Sequence, residues 1–189
     1  IFTYYGIIYN LDTIGFSSRD SLPILAVKLS AKADVREPEP KVLILGQCHA
    51  EEIYGVEISM EIIKQFLHPN QSDYRRFIER ALGLTELWIV PTYNPEGLRV
   101  VHGYLEGNNE IQDVTYRKNK RDTDNDGIFD YVNGIGGDTD GVDLNRNYDF
   151  NWIFGDTLLQ GCNNCTTYPD HYDYYKGEYP ESESEVQAI

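Results

Sequence analysis

Two residues with metal-binding side chains, His49 and Glu52, lie three positions apart in "GQCHAEEIYG" (46–55). The run before them is strongly apolar, so the pair falls where a buried strand passes into a helix, and open α/β sheets bind ligands at the carboxyl ends of their strands. An imidazole and a carboxylate at such a corner can turn toward one ion, and His/Glu ligation suits zinc. On spacing alone, a capping or core histidine is the commoner explanation of this pattern.

A second candidate site combines an acid, an amide and a guanidinium. In "GVDLNRNYDF" (141–150), Asp143, Asn145 and Arg146 lie close together, directly after the most aspartate-dense segment of the chain. An arginine in an acidic segment is usually part of a surface ion pair that contributes little to stability. The residues alone therefore leave open which partner this amide and guanidinium meet.

The aspartate-dense segment itself, "RDTDNDGIFDYVNGIGGDTDG" (121–141), is a third candidate site. Its core follows the pattern D-x-D-x-D-G-x-x-D, carried by Asp122, Asp124, Asp126, Gly127 and Asp130. The pattern places carboxylates at alternating positions and a glycine where the chain turns sharply, as in calcium loops. Without a cation, this many neighbouring carboxylates would repel one another.

Calcium takes about six to eight oxygen ligands, and the segment offers more than its aspartates. Ile128 could donate its backbone carbonyl at the seventh position, and Asp138 or Asp140 could complete the shell. The twelfth position is Asn133, where an EF-hand has a bidentate glutamate, and no convincing helices flank the segment. The pattern thus predicts a calcium-binding loop that is not a full EF-hand, with a flexible acidic loop as the alternative.

The elements that position these residues are predicted from hydrophobic patterning. Strands are expected at 22–30, 41–47 and 86–93. A helix is expected from Ile53 to the "HPN" that stops it, and a second helix from the N-cap Ser72 to Gly83. The order strand, helix, helix, strand predicts an α/β domain whose sheet is covered on both faces.

Each predicted helix has an apolar face. In the first helix this face comprises Ile53, Val56, Met60, Ile63 and Leu67. In the second helix the expected buried residues are Tyr74, Phe77, Ile78 and Ala81. The periodicity fades after Gly97, where functional loops are expected to residue 180, and Asn94, Pro95 and Gly97 are predicted to form a turn.

Composition narrows the functional classes. The length of 189 residues fits one domain, and 31 acidic against 16 basic residues argue against a nucleic-acid partner. No apolar run approaches the length of a membrane span, and the N-terminal segment lacks signal-peptide features, which is typical of a mature region. Cys48 is predicted to be a small buried side chain, and Cys162 and Cys165 to be either a local disulfide or two free thiols.

Together with His49 and Glu52, four stretches resemble the motifs of the zinc carboxypeptidase family, the carboxypeptidase A-like metallopeptidases, in that family's order. They are "VPTYNPEGLRV" (90–100), "YRKNKR" (116–121), "GVDLNRNYDFNW" (141–152) and "YPDHYDYYKGEYPESESEVQAI" (168–189). The resemblance extends from about Ser18 to Ile189. It implies an α/β fold with a mixed, largely parallel central sheet and helices on both faces. Residues 1–189 would then be an incomplete catalytic domain, and 121–141 an insertion.

The resemblance implies roles for individual residues. His49 and Glu52 become two zinc ligands; Glu51 is the rival carboxylate, but only Glu52 has the family's spacing. Asp143 matches the acid that accepts a hydrogen bond from the far nitrogen of the ligand histidine, which fixes the tautomer. Arg117 matches the arginine that stabilises the carbonyl oxyanion, where one such donor is typically worth a few kcal/mol.

Asn145 and Arg146 match the pair that holds the terminal carboxylate of the substrate. A planar guanidinium binds a carboxylate through two parallel hydrogen bonds, and the amide adds a donor without adding charge. The implied function is a metallocarboxypeptidase that removes C-terminal residues from peptides or proteins by zinc-activated water attack. We expect a secreted or periplasmic monomer with zinc and, in the 121–141 segment, calcium as cofactors.

Two groups of the family's site have no match in this sequence. The third zinc ligand, a histidine, and the general-base glutamate are expected C-terminal of 182–185, and His68, His102 and His171 are predicted to be ordinary surface histidines. A catalytic zinc site needs about three protein ligands. The 189 residues alone are therefore expected to bind zinc weakly and to be inactive. The alternative is a non-catalytic calcium- or peptide-binding module on a peptidase scaffold.

Overall fold

Between residues 22 and 93 the strands and helices follow the order that the sequence predicts, and two strands that the sequence analysis does not predict, within residues 2–16, precede them. The computed structural model describes residues 2–4, 7–68, 74–132, 140–150, 152 and 174–189. The strands described are β1 (Phe2–Tyr4), β2 (Ile7–Phe16), β3 (Pro23–Ser30), β4 (Lys41–Gln47), β5 (Glu86–Thr92), β6 (Tyr104–Glu106) and β7 (Asn109–Ile111). The helices described are α1 (Tyr54–Leu67), α2 (Arg75–Leu82), α3 (Pro95–His102), a 3-10 helix (Leu144–Arg146) and α4 (Ser184–Ala188).

The chain divides into two compact units. The first comprises Ile1–Ile14, Leu25–Gln47 and Tyr54–Thr92. The second comprises Gly15–Ile24, Cys48–Ile53 and Tyr93–Ile189. Most of the larger sheet belongs to the first unit, whereas the candidate site residues belong to the second.

A five-stranded mixed sheet with the order β1-β2-β3-β5-β4 organises the first unit. β3 and β5 are antiparallel, with Val27 opposite Ile89, whereas β4 and β5 are parallel, with Leu43 opposite Trp88. Two parallel neighbouring strands need a crossover connection of about a dozen residues or more. Between β4 and β5 this connection consists of α1 and α2. The predicted α/β class with a mixed sheet is confirmed. The resemblance implies a largely parallel sheet. Because β1 and β2 are also antiparallel, the described sheet contains more antiparallel pairing than this prediction.

The core of this unit lies between the sheet and the first two helices. Its buried cluster consists of Leu29, Ile63, Ile78, Leu82, Leu87 and Ile89. Ile63 comes from α1, while Ile78 and Leu82, one turn apart, come from α2. Each such side chain contributes roughly 1.5–3 kcal/mol when it is fully buried, so the cluster fixes both helices to one face of the sheet.

The buried faces of the two helices differ from the predicted faces. Ile53, just before α1, is 37% exposed and Met60 in α1 is 51% exposed, while Tyr74 and Phe77 are 70% and 67% exposed at the start of α2. The prediction for these four residues is wrong. In α2 the inner row is formed by Ile78 and Leu82, which lie one above the other at a spacing of four residues, and the two aromatic residues project outside that row.

The boundaries of the second helix are tested in part. Gly83 is its C-cap, as predicted, and its N–H donates to the carbonyls of the last turn. Ser72, the predicted N-cap, lies outside the described residues.

Among the helices that the structure describes, none has the length and apolar character that crossing a membrane requires.

The second unit contains a helix, α3, where the sequence predicts a turn. Pro95 is its first residue, and the side chain of Asn94, the N-cap, accepts a hydrogen bond from the N–H of Gly97 at 3.0 Å. The predicted turn is wrong because an N-cap Asn, a Pro at the first helical position and Glu96 in the first turn are helix-start signals. A search for hydrophobic periodicity does not detect these signals.

The rest of the second unit is more regular than the expected run of loops. β6 and β7 form an antiparallel hairpin with Leu105 opposite Glu110. A second buried cluster consists of Ala50, Val100, Val101, Ile111, Tyr116 and Phe129. Residues after Gly97 therefore supply core side chains as well as candidate site residues. α4 lies at the end of the last of the four stretches that carry the resemblance.

Candidate active site

The turn after β4 is fixed by hydrogen bonds to residues that come much later in the chain. The N–H of Ala50 donates to the carbonyl of Arg117 at 2.9 Å. The side-chain amide of Asn94 donates to the carbonyl of Cys48 at 2.9 Å. Both bonds hold this turn in place without using the side chains of the candidate ligands.

His49 and Glu52 face each other at this turn. Nδ1 of His49 lies 3.1 Å from Oε1 of Glu52. Nδ1 is buried and has no hydrogen-bond partner among the described residues. When the imidazole proton is on Nε2, the lone pair of Nδ1 therefore faces a lone pair of Oε1. Two ligands of one tetrahedral zinc ion lie roughly 3 to 3.5 Å apart, because Zn–N and Zn–O bonds are about 2.0–2.2 Å. The arrangement therefore suits a zinc ion.

Asp143 lies on the other side of the imidazole. Its Oδ1 is 3.2 Å from Nε2 of His49, and its Oδ2 accepts a hydrogen bond from Nε of Arg117 at 2.9 Å. It also caps the 3-10 helix by accepting from the N–H of Asn145 at 3.0 Å. Burial opposes ionisation of this carboxyl, but the His49 hydrogen bond and the Arg117 charge outweigh burial and hold its pKa below the ordinary value. An ionised Asp143 keeps the imidazole proton on Nε2 and leaves Nδ1 for a metal.

Arg117 is enclosed by charged and aromatic groups. Nη1 lies 3.4 Å from Oε1 of Glu51, and the guanidinium carbon lies 5.3 Å from the centroid of the Tyr174 ring. Nη2 lies 2.7 Å from Nε2 of His49; this contact is a hydrogen bond only in the tautomer that the Asp143 carboxylate disfavours. Of the five N–H groups of a guanidinium, those on Nε and one on Nη1 face carboxylates. Both terminal nitrogens thus keep a donor for a further oxygen.

The geometry separates the two adjacent glutamates that the sequence left in competition. Glu52 faces His49, whereas Glu51 pairs with Arg117. Burial is the largest influence on the Glu51 carboxyl and raises its pKa. Sequence reasoning missed the contact of Tyr174 with the guanidinium, because a ring contact has no spacing signal and the chain contains 15 tyrosines.

Asn145 and Arg146 lie in the 3-10 helix that Asp143 caps. Nη1 of Arg146 donates to the carbonyl of Asn145 at 3.2 Å. Nε of Arg146 is buried and has no hydrogen-bond partner in the part of the chain that the structure describes. A buried donor without a partner costs about 1–3 kcal/mol, so this nitrogen suits an anionic ligand such as a carboxylate.

The 121–141 segment brings its carboxylates together. One set is Asp122, Asp124 and Asp140 and the other is Asp124, Asp126 and Asp130, and within each set the candidate ligand oxygens lie within 4.8 Å of one another. Asn125 and Gly127 have positive φ angles of 62° and 83°, which agrees with the sharp turn expected at the glycine. Asn133 and Asp138 lie outside the described residues.

The carbonyl of Ile128, expected to be a calcium ligand, already has a partner. It accepts a hydrogen bond from Nη1 of Arg19 at 3.0 Å, and Nη2 of the same arginine lies 3.3 Å from the carbonyl of Gly127. Asp140, by contrast, is 1% exposed and accepts from the N–H groups of Thr123 and Asp130, each at 2.9 Å. It thereby links both ends of the carboxylate cluster.

Among the described residues, Cys48, His68 and His102 belong to no cluster of metal-binding side chains. Cys48 is half-buried, and burial raises the pKa of its thiol to about 12, opposed by a hydrogen bond with Tyr93. His102 is exposed, as expected, and His68 is partly buried. Cys162, Cys165 and His171 lie outside the described residues, so the expectations for these three residues stay predictions.

Solved structures define the class of fold. Carboxypeptidase A from Helicoverpa armigera superimposes with a TM-score of 0.66 at 20% identity, covering 96% of this chain and 36% of that chain. Thrombin activatable fibrinolysis inhibitor superimposes with a TM-score of 0.64 at 19% identity, covering 96% of this chain and 37% of that chain. The chain therefore has the fold of the corresponding part of a carboxypeptidase.

Sequence comparison identifies the family. The profile of the zinc carboxypeptidase family matches residues 3–189, and the chain belongs to that family. A zinc carboxypeptidase from Saccharothrix mutabilis subsp. capreolus is 29% identical over 126 residues, which are 67% of this chain and 24% of the relative. The carboxypeptidase N catalytic chain of Mus musculus is 27% identical over 119 residues, 59% of this chain and 26% of the relative. The chain thus spans about a quarter of the length of these curated relatives.

Proposed function

We propose that the protein is a metallocarboxypeptidase that removes C-terminal residues from peptides or proteins. The observation that carries this proposal is the 3.1 Å approach of the buried Nδ1 of His49 to Oε1 of Glu52, with Asp143 on the opposite side of the ring. Membership of the zinc carboxypeptidase family supports zinc as the metal. His49 and Glu52 would supply two of the roughly three protein ligands of a catalytic zinc site.

The residues around the metal position have complementary tasks. Zinc, when bound, supplies the Lewis acidity that polarises a carbonyl and activates water. His49 and Glu52 would hold the ion, and Asp143 would fix the orientation of the imidazole through Nε2. Arg117, held by Asp143 and Glu51, would direct its remaining N–H groups at the oxyanion, an interaction typically worth about 2.7–4 kcal/mol.

Asn145 and Arg146 would select the end of the substrate chain. The buried Nε of Arg146 lacks a partner among the described residues, and a substrate carboxylate would satisfy it with a charge-assisted hydrogen bond. Binding of a terminal carboxylate makes the reaction an exopeptidase cleavage. We expect the protein to act outside the cytoplasm as a monomer, and its net charge of -15 supports the absence of a nucleic-acid partner.

Two peptides that differ at one group test the proposed function. We expect the native, zinc-loaded protein to remove single residues in sequence from a peptide with a free C-terminal carboxylate, as followed by mass spectrometry. The same peptide with a C-terminal amide should stay intact, because the amide lacks the charge that Arg146 would bind. Equal cleavage of both peptides, or cleavage at internal bonds, contradicts the proposal.

We also propose that the 121–141 segment binds calcium. The two sets of carboxylates that share Asp124 support this proposal, since calcium prefers several oxygen ligands from carboxylates and carbonyls. Bound calcium would order the segment between Arg117 and the Asn145–Arg146 pair. The contact of Arg19 with the Ile128 carbonyl makes Asp140 the more suitable ligand.

Calorimetric titration with calcium tests this second site. Asp124→Asn removes a carboxylate from both sets and should weaken calcium binding at least tenfold, whereas Asp149→Asn, at an exposed aspartate outside the sets, should leave it unchanged. If calcium removal leaves peptide binding unaltered, the coupling to the substrate site is wrong. Calcium binding by a native protein that cleaves no peptide favours the alternative function, a non-catalytic binding module on this scaffold.

A further inference from the structure

Three glutamates with buried side chains in the second unit take no part in the proposed reaction. Glu96 in the first turn of α3, Glu183 at the N-cap of α4 and Glu185 in its first turn are 0%, 2% and 0% exposed. The described ion pairs join none of these three carboxylates to a lysine or arginine. A buried carboxylate without a paired cation is costly to ionise.

Neutral donors hold Glu185 in place. Ser18 donates to Oε1 of Glu185 from its backbone N–H at 3.0 Å and from its hydroxyl at 3.1 Å. Nδ2 of Asn119 lies 2.8 Å from Oε2 of Glu183 and 3.3 Å from Oε1 of Glu185. One amide therefore bridges two acids, which places their carboxyl groups in a single hydrogen-bonded network.

The hydroxyl of Ser184 shows where a proton must lie. Its Oγ is 2.8 Å from the carbonyl oxygen of Phe16 and 3.2 Å from Oε2 of Glu185. A hydroxyl has one proton to donate, and the Phe16 carbonyl can only accept, so that proton goes to Phe16. The contact with Oε2 is then a hydrogen bond only if the Glu185 carboxyl is protonated and donates to Oγ.

We propose that Glu185 carries a proton in the folded protein near neutral pH and latches α4 to the chain at Phe16, and that loss of this proton at alkaline pH loosens α4. We call the two hydrogen bonds from Glu185 through Ser184 to Phe16 the Glu185 latch. The packing beside it is tight, because a Cβ on Gly15 would lie 2.5 Å from Cβ of Ala188. Once Glu185 is ionised, the one Ser184 proton is shared between two acceptors, and one of the two bonds is lost.

The surrounding acids favour the protonated form of Glu185. Burial is the largest influence and, with the charges of Glu96 and Glu183, raises the pKa of Glu185 to about 7, against the opposing hydrogen bond from Ser18. Burial likewise raises the pKa of Glu183. Ionisation of Glu185 would thus place another negative charge among buried acids.

The cations near this network are engaged elsewhere or act weakly on it. The charge of Arg121 opposes the rise in the pKa of Glu183 without reversing it. Arg19 and Asp20 present backbone N–H groups to Oε1 of Glu96. The carboxylate of Asp20 is bonded to Nζ of Lys120 at 2.9 Å, so that this buried ammonium is paired with an acid outside the network.

The pH dependence has a definite sign. The pKa of Glu185 is about 7 in the folded protein against 4.5 as the ordinary value, so between these pH values the folded state binds the proton more tightly than the unfolded state. The contribution of Glu185 to stability is present below about pH 4.5 and is lost as the pH rises toward 7. The expected change in the folding equilibrium constant is on the order of a hundredfold.

Urea unfolding at a series of pH values tests the latch. In Glu185→Gln the amide mimics the protonated acid, because its NH₂ can donate to Ser184. The ratio of the folding equilibrium constant of this variant to that of the unsubstituted protein should therefore rise on the order of a hundredfold as the pH is raised from 5 to 8. Glu181→Gln, at an exposed glutamate of the same segment, should show the pH dependence of the unsubstituted protein. A Glu185→Gln profile that runs parallel to the unsubstituted protein at every pH overturns the proposal.

Infrared spectroscopy of the unsubstituted protein covers the case in which Glu185→Gln does not fold. The latch predicts a carboxylic-acid C=O band at pH 6 that disappears as the pH rises above 8, together with lower protection of the amides of residues 184–188 relative to their intrinsic exchange rates at each pH. If no protonated carboxyl is detected at pH 6, or if this protection does not fall across the range, the proposal is wrong.

Discussion

At the scale of single residues, His49 is contacted at both ring nitrogens, and these contacts give each acid a different role. Nδ1 faces Glu52 at 3.1 Å, while Nε2 faces Asp143 at 3.2 Å. A metal-binding histidine usually gives its second N–H to a carboxylate, which orients the ring and raises its basicity. Glu52 is therefore the expected ligand, and Asp143 the residue that positions the ring.

Separate substitution of the two neighbouring glutamates by glutamine tests this assignment. We expect Glu52→Gln to weaken zinc binding by more than the roughly 10–100-fold that is typical of losing an outer partner of a ligand, because a direct carboxylate ligand is lost. Glu51→Gln is the matched control one residue away and should leave zinc affinity within a few-fold. The measurement is zinc affinity by competition with a chromophoric chelator, and stronger weakening in Glu51→Gln than in Glu52→Gln would reverse the assignment.

Arg146 carries the prediction about the substrate end. Arg146→Met should lower kcat/KM for a peptide with a free C-terminus roughly 10–150-fold, mainly through KM, because a hydrogen bond to a charged group contributes about 1.5–3 kcal/mol. Arg146→Lys should recover part of this loss, since it restores the charge but not the planar fork. Steady-state kinetics on one peptide series gives the comparison, and an unchanged KM in Arg146→Met speaks against this residue as the carboxylate binder.

The sequence predicted the site residues that follow a motif and missed those that depend on tertiary contact. Residue type and spacing make His49 and Glu52 candidates, and the resemblance to the zinc carboxypeptidases implies their roles and that of Asp143. The structure brings the three side chains together. The pairing of Glu51 with Arg117 and the ring contact of Tyr174 depend on where distant segments meet. No local pattern indicates such contacts, so only the coordinates reveal them.

At the scale of elements, a close approach between β4, β5 and α1 requires glycine at position 46. A Cβ on Gly46 would overlap the carbonyl oxygen of Pro91 and lie 2.7 Å from Oγ of Ser59. Gly46→Ala should therefore lower the free energy of unfolding by about 3 kcal/mol or more, as forced overpacking does at its upper range. Gly83→Ala, where the added Cβ would lie 3.3 Å from the nearest atom, should change it by less than about 1 kcal/mol. Urea unfolding measures both, and equal effects would contradict the predicted close contact.

A buried ion pair between β3 and β5 gives the first unit an acid-sensitive element. Glu86 is 2% exposed and lies 2.9 Å from Nζ of Lys28. The contact with this ammonium lowers the pKa of Glu86 from 4.5 to about 2. Its stabilisation is thus present above about pH 4.5 and is lost as the pH falls toward 2, because the unfolded state binds the proton first.

Substitution of Glu86 tests this dependence. Glu86→Gln should be destabilised at pH 7, since Lys28 is left buried without its counter-charge, and should lose less of its remaining stability between pH 5 and pH 2 than the unsubstituted protein. Asp34→Asn, at an exposed loop position of the same unit, should retain the original acid dependence. The readout is the free energy of unfolding against pH, and an unchanged acid limb in Glu86→Gln would exclude Glu86 as its source.

Elements with strong hydrophobic patterns were predicted well, and elements that depend on capping were not. The strands 23–30, 41–47 and 86–92 and helix 54–67 agree with the sequence within one or two residues. α3 was missed because its start signals are Asn94 and Pro95 rather than a periodic apolar face. The buried face of α2 differs from the predicted face, because Phe77 projects outside the row formed by Ile78 and Leu82 and is 67% exposed.

At the scale of the whole molecule, the order of motifs along the chain was more informative than any one motif. His49, Arg117 and Asp143 are separated by 68 and 26 positions, yet their side chains meet within the second unit. The fold explains this meeting, because the turn after β4 is bonded through Ala50 to the carbonyl of Arg117. The acidic composition predicted a cation-binding segment but could not show that Arg19 is bonded to part of it, since that contact joins residues 109 positions apart.

The central claim, that the site is a zinc-dependent carboxypeptidase centre, is tested most directly by zinc depletion and restoration in the native protein. Zinc content by elemental analysis and release of the C-terminal residue from one peptide are measured in the same samples. We predict that activity is lost with the zinc on dialysis against a chelator and returns in proportion to added zinc, up to one ion for each His49–Glu52 site. Full C-terminal cleavage in protein that contains no zinc would contradict this account.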